Sequence, residues 1–377
     1  MSRVERKNWD RLVVQVLDAP AADLSPVISD PVTMGKAGRL VAVVVTYNRC
    51  DQLQVTLARL LSQPTGLLQA VVVVDNASTD DTAPWLATQS DPRLIIHRNR
   101  RNMGGAGGFA TGMQLAMQRF DPDWLVVMDD DARPMAGALA RFHHLDLAQW
   151  DAVAAAVYQP DGTVCKMNRP SRNPFWLRAG WGQNLWRMIR GLGRIGLRLE
   201  PPALGNDGPG QRVDLASFVG FFIRGDAVRR IGYPDPDMFI YGDDGFYTLG
   251  LSKAGGRIGF QPIVQFEHDC TTFDEGSPRH PRRFTALWKV YFYHRNLLML
   301  YHRAAGRLFW LALPVVLCGW LWQLRAHAGE RRAFLALFWL ALKDGLRGQT
   351  GRSREEIEQR IARIQGKRAE ASPTAVI

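Results

Sequence analysis

Arg39-Leu-Val-Ala-Val-Val-Val-Thr46 is a continuous apolar, β-branched run that ends on a hydroxyl. A strand with one wet face alternates apolar and polar residues. This run does not, so it reads as a strand buried on both faces. From about Asp51 to Ser62, Leu53, Leu57, Leu60 and Leu61 fall on one helical face. Ala70-Val-Val-Val-Val-Asp75 repeats the strand pattern, and Asn76-Ala-Ser-Thr-Asp-Asp81 reads as a turn and helix cap. Leu94-Ile-Ile-His97 is a third strand, Gly104 to Gln118 a glycine-rich turn into a helix, and Trp124-Leu-Val-Val-Met128 a fourth strand. This alternation predicts an α/β fold, a mostly parallel sheet with helices on both faces. Ligands of such sheets gather beyond the carboxyl ends of the strands. Thr46-Tyr47-Asn48, Asp75-Asn76 and Asp129-Asp130-Asp131 all fall there, so three strand ends point to one crevice. Further on, Val213 to Arg224 reads as one buried strand with a glycine bend.

The chain has 377 residues, of which 46% are apolar and 22% charged, a globular composition. Wholly disordered and collagen-like chains are excluded. Cys50, Cys165, Cys270 and Cys318 show no CxxC spacing, so neither a zinc ribbon nor a disulfide framework is expected. The opening MSRVERKNWD is polar, with no secretory h-region, and the protein is expected on the cytoplasmic side.

Forty-seven basic residues against thirty-six acidic ones give a formal charge of +11. The surplus is local. Ser277 to Gly329 holds no Asp or Glu, but carries Arg279, Arg282, Arg283, Lys289, Arg295, Arg303, Arg307 and Arg325. A second basic stretch, Lys166 to Arg198, includes Trp176, Trp181 and Trp186. Trp among Arg suits an anionic membrane interface; a nucleic-acid groove or a plain solvated face would carry the same residues. Leu308 to Leu324 and Ala333 to Leu342 are apolar, but the first falls short of the ~20 residues of a spanning helix and contains Pro314. Helices lying in or dipping into one leaflet are therefore expected, with buried helices of an accessory domain as the alternative. The expected organisation is an arm over residues 1–38, an α/β domain over 39–300, and a helical, membrane-associated region with a polar tail over 301–377.

No G-x-x-x-x-G-K-[ST] is present, which excludes a P-loop NTPase. Asn102-Met-Gly-Gly-Ala-Gly-Gly-Phe109 contains G-x-G, but follows the third strand, not the first, and is a weak dinucleotide signal. Its backbone N–H groups suit a diphosphate or sugar at a helix start; its glycines equally suit a tight turn with no ligand. Asp129-Asp130-Asp131 carries the most chemistry. Three adjacent carboxylates repel one another, and a hard cation such as Mg²⁺ or Mn²⁺, bound with substrate phosphates, is the natural occupant. In an extended segment Asp129 and Asp131 point one way and Asp130 the other.

Taken together, Val41 to Arg49, Val72 to Asp80, Arg101 to Phe109 and the Asp-x-Asp resemble family 2 nucleotide-sugar glycosyltransferases with the GT-A (Rossmann-like) fold. The spelling Met128-Asp-Asp-Asp-Ala-Arg-Pro134 is most similar to the galactofuranosyl- and rhamnosyltransferase branch. The resemblance covers about residues 39–300. It implies that Thr46 and Asp75 hold the nucleotide base, that Arg101 and Asn102 approach the nucleotide and diphosphate, and that Asp129 and Asp131 reach the ribose and metal. Asp129, Asp131 and His268, in Phe266-Glu-His-Asp269, become the metal set, with Asp130 beside the nucleotide. Asp243 and Asp244, in Phe239-Ile-Tyr-Gly-Asp-Asp-Gly-Phe246, match the acidic pair that opens an acceptor-side helix, Asp244 as general base and Asp243 as its helper. Tyr241-Gly242 stands where relatives often carry Trp or Glu.

The implied reaction is a single displacement with inversion, from UDP-galactofuranose or, as second choice, dTDP-rhamnose, onto a lipid-linked glycan at the cytoplasmic face of an anionic membrane. Mn²⁺ or Mg²⁺ is the implied cofactor, and nucleic acid is not an expected partner. An inert nucleotide-sugar or polyanion-binding protein is the alternative of another class.

Overall fold

The computed structural model describes residues 37–176, 197–198, 210–269 and 283–366. Nearly all of the expected N-terminal arm, with Trp181, Trp186, Arg279 and Arg282, lies outside the described residues.

The first half alternates as the periodicity requires: β1 (Leu40–Thr46), α1 (Cys50–Leu61), β2 (Ala70–Asp75), α2 (Thr82–Ala87), β3 (Leu94–Arg98), α3 (Gly104–Phe120) and β4 (Trp124–Asp129). After a two-residue turn come β5 (Ala132–Pro134), α4 (Ala138–His144) and β6 (Ala152–Tyr158). Four short strands follow, β7 (Ser171–Arg172), β8 (Leu197–Arg198), β9 (Gln211–Val213) and β10 (Phe221–Arg224). Then come α5 (Gly225–Ile231), α6 (Asp243–Lys253) and β11 (Ile258–His268). The chain closes with α7 (Trp288–Ala305), α8 (Phe309–Leu321), α9 (Arg331–Leu346) and α10 (Arg354–Ile364).

The main sheet runs β3-β2-β1-β4-β10-β6-β11-β5, with β9 also on β11. It is parallel from β3 to β4. The central β10 runs antiparallel to both neighbours, and β6 and β11 are parallel again. One edge of β11 carries β9 at its start and β5 at its end.

The alternate residues of β1 explain the two layers. Leu40, Ala42 and Val44 join Leu53, Leu57 and Leu60 of α1 in one core cluster. Val41, Val43 and Val45 join Phe109, Met113 and Met117 of α3 in another. Two glycines let α3 approach so closely. A Cβ at Gly108 would meet Val45 Cγ1 at 2.5 Å, and one at Gly112 would meet Val43 Cγ1 at 2.4 Å. A third core gathers α7 to α10 with Leu215, Phe239 and Leu249. α7 crosses residue 300 without a break, joining the last helices to the α/β domain.

Three sequence expectations are corrected. Val213 to Arg224 is not one strand: β9 sits at the edge of the sheet and β10 at its centre. The chain turns between them at Gly220, whose φ of +63° is open to glycine and strained for other residues. Arg295 does not belong to a basic surface, because it is fully buried. Cys165 is disulfide-bonded, although no pairing pattern marks it in the sequence. Cys50 and Cys318 are free.

Two neighbouring glycines separate packing from propensity. Gly104 has φ +69°, and a Cβ there would lie 2.1 Å from the Phe239 carbonyl oxygen, whereas one at Gly105 meets nothing within 4 Å. Gly104→Ala should therefore lower stability by roughly 2–4 kcal/mol, from left-handed strain and overpacking. Gly105→Ala should raise it by about 0.5–1 kcal/mol through helix propensity. Chemical denaturation of both variants checks the contrast; equal effects would overturn it.

Candidate active site

The site is assembled by strand register. Thr46, the last residue of β1, is paired with Asp75, the last of β2, and Val45 lies opposite Asp129 at the end of β4. The turn at Asp130-Asp131 leads into β5, which places Ala132 opposite His268 at the end of β11. Residues 137 apart in sequence thus meet: His268 Nε2 lies 3.1 Å from Asp131 Oδ1. One ligand atom from each of Asp129, Asp131 and His268 lies within 4.8 Å of the other two. His268 Nδ1 is 2.8 Å from Asn168 Oδ1, and the Asn168 amide N–H donates to Ser217 Oγ at 3.0 Å. With the amide oxygen toward the ring, the Nδ1 side is the donor, and Nε2 is left toward the carboxylates.

Asp130 is turned away, as the strand alternation requires. It lies against Thr46 and the Tyr47 N–H, and Arg49 reaches its Oδ1 at 3.5 Å while also bonding Asp131.

On the β2 side, Asp75 Oδ1 accepts the Ser78 N–H at 2.8 Å, and Arg98 lies 3.4 Å from Oδ2. Asn48 and Ala77 hold φ of 55° and 64° in the left-handed region. Cross-loop bonds support them, from Thr79 N–H to Asn48 Oδ1 at 2.7 Å and from Asn48 N–H to Ser78 Oγ at 3.0 Å. Asn102 Oδ1 accepts the Gly104 N–H at 2.7 Å, and the Ala106 N–H is spent on the Phe239 carbonyl at 3.1 Å. Two backbone donors at the start of α3 are thus already satisfied within the protein. Arg101 is exposed and does not join the metal-type cluster; it lines a cleft against Gly351–Glu355.

The acidic pair Asp243-Asp244 depends on a strained turn. Phe239, Tyr241 and Gly242 all have positive φ, at 66°, 70° and 73°. For bulky side chains this costs about 1–3 kcal/mol each and persists only under external restraint. The restraint comes from α7. The Asn296 amide donates to the carbonyls of Met238, Ile240 and Tyr241 at 2.8, 2.9 and 3.0 Å, and the Arg295 guanidinium to those of Asp237 and Met238, each at 3.0 Å. Held in this way, the turn delivers Asp243 and Asp244 to the first turn of α6. Asp244 Oδ1 accepts the Gly245 N–H at 2.6 Å.

Residues 41–198 match the family model described as glycosyl transferase family 2. Galactofuranosyltransferase GlfT1 of Mycobacterium tuberculosis is 32% identical over 267 residues, covering 68% of this chain and 79% of that protein. Its namesake from Mycolicibacterium smegmatis is 30% identical over 242 residues, 63% of this chain and 72% of that protein. This chain belongs to glycosyl transferase family 2. An undecaprenyl-phosphate mannosyltransferase of Micrococcus luteus is 33% identical over 234 residues, 61% of this chain and 85% of that protein. Similar identity to enzymes named for different sugars fixes the chemistry as glycosyl transfer and leaves the sugar to the site. The mixed sheet with its flanking helices is the GT-A arrangement that the sequence resemblance implied.

The electrostatics of this glycosyltransferase follow from three carboxylates sharing too little positive charge. Burial first, then the charge of Asp131, pushes Asp129 up to about 8; Asp130 and Asp243 add to the rise and His268 opposes it. Burial and Asp131 likewise push Asp130 up to about 7 against Arg49. Burial alone would raise Asp131 too, but its bonds to His268 and Arg49 overcome that and hold it low. Burial would lower His268, and Asp131 reverses the sign. Without a cation the cluster favours the charged His268–Asp131 pair and retains a proton on Asp129 near neutral pH, with Asp130 close to its midpoint. A divalent cation would replace that proton, and two carboxylates with an imidazole are a fitting donor set for Mn²⁺ or Mg²⁺. Burial also raises Asp243, to about 7 with help from Asp244, and Asp244, to about 6.

Four residues of this site carry no role in the sequence reading: Arg49, Asn168, Arg295 and Asn296. Arg295 and Asn296 left a signal, two strongly polar residues inside an apolar helical pattern. Arg49 and Asn168 left none, because their partners lie far away in sequence.

Asp129 links pH to stability. Its folded value of about 8 lies above the ~4 of an unfolded aspartate, so between these limits the folded state binds the extra proton. Its contribution to stability therefore falls as pH rises through that window. In chelator, Asp129→Asn should unfold at a higher temperature than wild type at pH 8, with the gap closing toward pH 5. At pH 8 Mn²⁺ should stabilise wild type and not the variant. Equal stabilisation of both by Mn²⁺ would remove Asp129 from the metal set.

Proposed function

We propose that this glycosyltransferase transfers galactofuranose from UDP-galactofuranose to a lipid-linked glycan, with inversion, using Mn²⁺ or Mg²⁺ held by Asp129, Asp131 and His268. The carrying observation is the meeting of those three side chains within 4.8 Å from strand ends far apart in sequence. The sugar assignment is supported by the two GlfT1 relatives. Once bound, the cation neutralises the charge that develops on the departing nucleoside diphosphate.

The remaining work belongs to the chain. Thr46 and Asp75 receive the nucleotide base, one and two strand spacings, roughly 5 and 10 Å, across the sheet from Asp129. Asp130, through Arg49, steadies the loop that follows β1, while Arg101 and Asn102 face the nucleotide from the start of α3. Asp244, with a value near 6, is ionised at neutral pH and takes the proton from the acceptor hydroxyl as that oxygen attacks the anomeric carbon. Asp243 helps to hold the acceptor. The anomeric bond to the diphosphate breaks as the new bond forms on the opposite face, so no carboxylate nucleophile is needed.

The membrane part of the proposal rests on exposed tryptophans. Trp310, Trp322 and Trp339 are 57%, 53% and 58% exposed. Arg325 stacks over Trp322 at 3.7 Å, a pairing suited to a headgroup interface. The helical run Trp288–Leu346 is long and apolar enough to cross a membrane by length and composition, but Pro314 lies inside α8 and a kink at His327 interrupts the run. Those interruptions favour helices seated in one leaflet, on the cytoplasmic face. An acceptor carried on lipid would then meet the site at that surface, and the relative named for undecaprenyl phosphate supports such an acceptor.

A panel of UDP-galactofuranose, dTDP-rhamnose and GDP-mannose, each with Mn²⁺ and with chelator, tests the reading. UDP-galactofuranose should turn over fastest, and only with metal; a faster rate with another donor overturns the sugar assignment. Asp244→Asn should keep donor affinity and lose roughly 10²–10⁴-fold in transfer rate. Near wild-type transfer would move the base elsewhere. Sedimentation with anionic vesicles should persist in high salt, because inserted apolar area is not screened; release by salt would leave charge alone as the anchor.

A further inference from the structure

The polar segment after α9 returns to the catalytic domain. Gly351 N–H reaches the Asp237 carbonyl at 3.4 Å, and Arg352 Nε donates to the buried Asp344 at 2.6 Å. Ile357 of α10 is 1% exposed in the third core. This segment is therefore built into the fold. Arg352, Ser353, Arg354 and Glu355 form one side of a cleft whose other side is Arg101, Asn102, Asp237 and Phe239.

A stacked series ties that cleft to the active site. Phe239, whose carbonyl holds the Ala106 N–H, meets Trp288 edge-on at 5.9 Å. The Arg354 guanidinium lies over the Trp288 ring at 4.8 Å, and Lys289 Nζ lies 5.8 Å from the same ring. Lys289 is held below its ordinary value, first by burial and then by the positive charges of Arg49 and Arg354. It therefore lies in the field of the arginine that bonds the Asp130-Asp131 turn. Arg354 spends its Nε on Glu358 at 2.7 Å, and Arg352 is paired with Asp344. Lys289 bonds the Thr285 hydroxyl at 2.9 Å, and neither it nor Arg101 has an ion pair among the described residues. Cations from α7, α10 and the loop before α3 thus gather around Trp288 and the cleft with less than matching negative charge. A dianionic group bridging toward the cluster would supply it.

We propose that Lys289 and Arg354, facing Arg101, bind the diphosphate of the donor, so that the segment following the apolar helices completes the donor site. This rests on the reading of the protein as a nucleotide-sugar enzyme and adds two positioning residues to it. Seating the apolar helices on lipid would then also set the wall that grips the donor.

The test is calorimetric binding of UDP, dTDP and GDP, with Mn²⁺ present, to the full chain. The tightest ligand is then compared with its own monophosphate. Lys289→Gln and Arg354→Gln should each weaken the diphosphate roughly tenfold and the monophosphate much less, since one charge-assisted contact is lost. Arg354→Lys should recover part of the loss. Arg363→Gln, on the same helix, serves as control, and unfolding midpoints should match wild type throughout. Unchanged diphosphate affinity in both variants overturns the proposal. Equal weakening of mono- and diphosphate overturns it too, because the effect would then be structural. Failure of wild type to bind any nucleoside diphosphate overturns the parent reading as well, which distinguishes the two failures.

Discussion

Three carboxylates at the buried end of one strand repel one another, and much of the site can be understood as the answer to that repulsion. Each lost hydration is a cost that only positive charge or retained protons can offset. Arg49 reaches in from the loop after β1 to Asp130 and Asp131, and His268 arrives from the end of β11 to pair with Asp131. Even so, Asp129 and Asp130 are pushed far above ordinary aspartates. The protein alone leaves the cluster short of positive charge, a condition suited to binding a cation together with an anionic substrate.

The acidic pair on the other side is held by a different device. A fully buried Arg295 and its neighbour Asn296 donate to four carbonyls of one turn, those of Asp237, Met238, Ile240 and Tyr241. Those bonds support two bulky residues, Phe239 and Tyr241, in left-handed backbone. The same helix, α7, is the centre of the third core, where Tyr291 bonds Asp344 of α9 at 2.8 Å. The last helices are thus mechanically continuous with the turn that aims Asp243 and Asp244.

The glycine-rich stretch illustrates how one signal can have a plainer explanation. Gly104, Gly108 and Gly112 are accounted for by contact with Phe239, Val45 and Val43, at distances no Cβ would allow. Their spacing reflects helix-on-sheet packing. The cations proposed to meet the diphosphate come instead from side chains on three separate elements.

Much was legible in local sequence. The strands β1, β2 and β4 are unmistakable because runs of Val and Ile cannot be solvated, and their polar last residues mark the ligand edge. Asp129 and Asp131 share a direction, as the alternation of an extended segment suggests, although Asp130-Asp131 form a turn. Motif order was enough to place Thr46, Asp75, Asp243, Asp244 and His268 at strand or helix ends. What the chain alone left open was everything that depends on side chains meeting from distant segments. Val213 to Arg224 carries the apolar pattern of one strand, yet Gly220 and the neighbouring pairings divide it between sheet edge and centre. Arg295 looks like surface charge in a basic run and proves to be a buried clamp. Asn168 sets the His268 ring from 100 residues away. Periodicity reports which face of an element is apolar; it carries no record of which partner will satisfy a buried polar group, and only the folded chain, where each such group must find one, decides that.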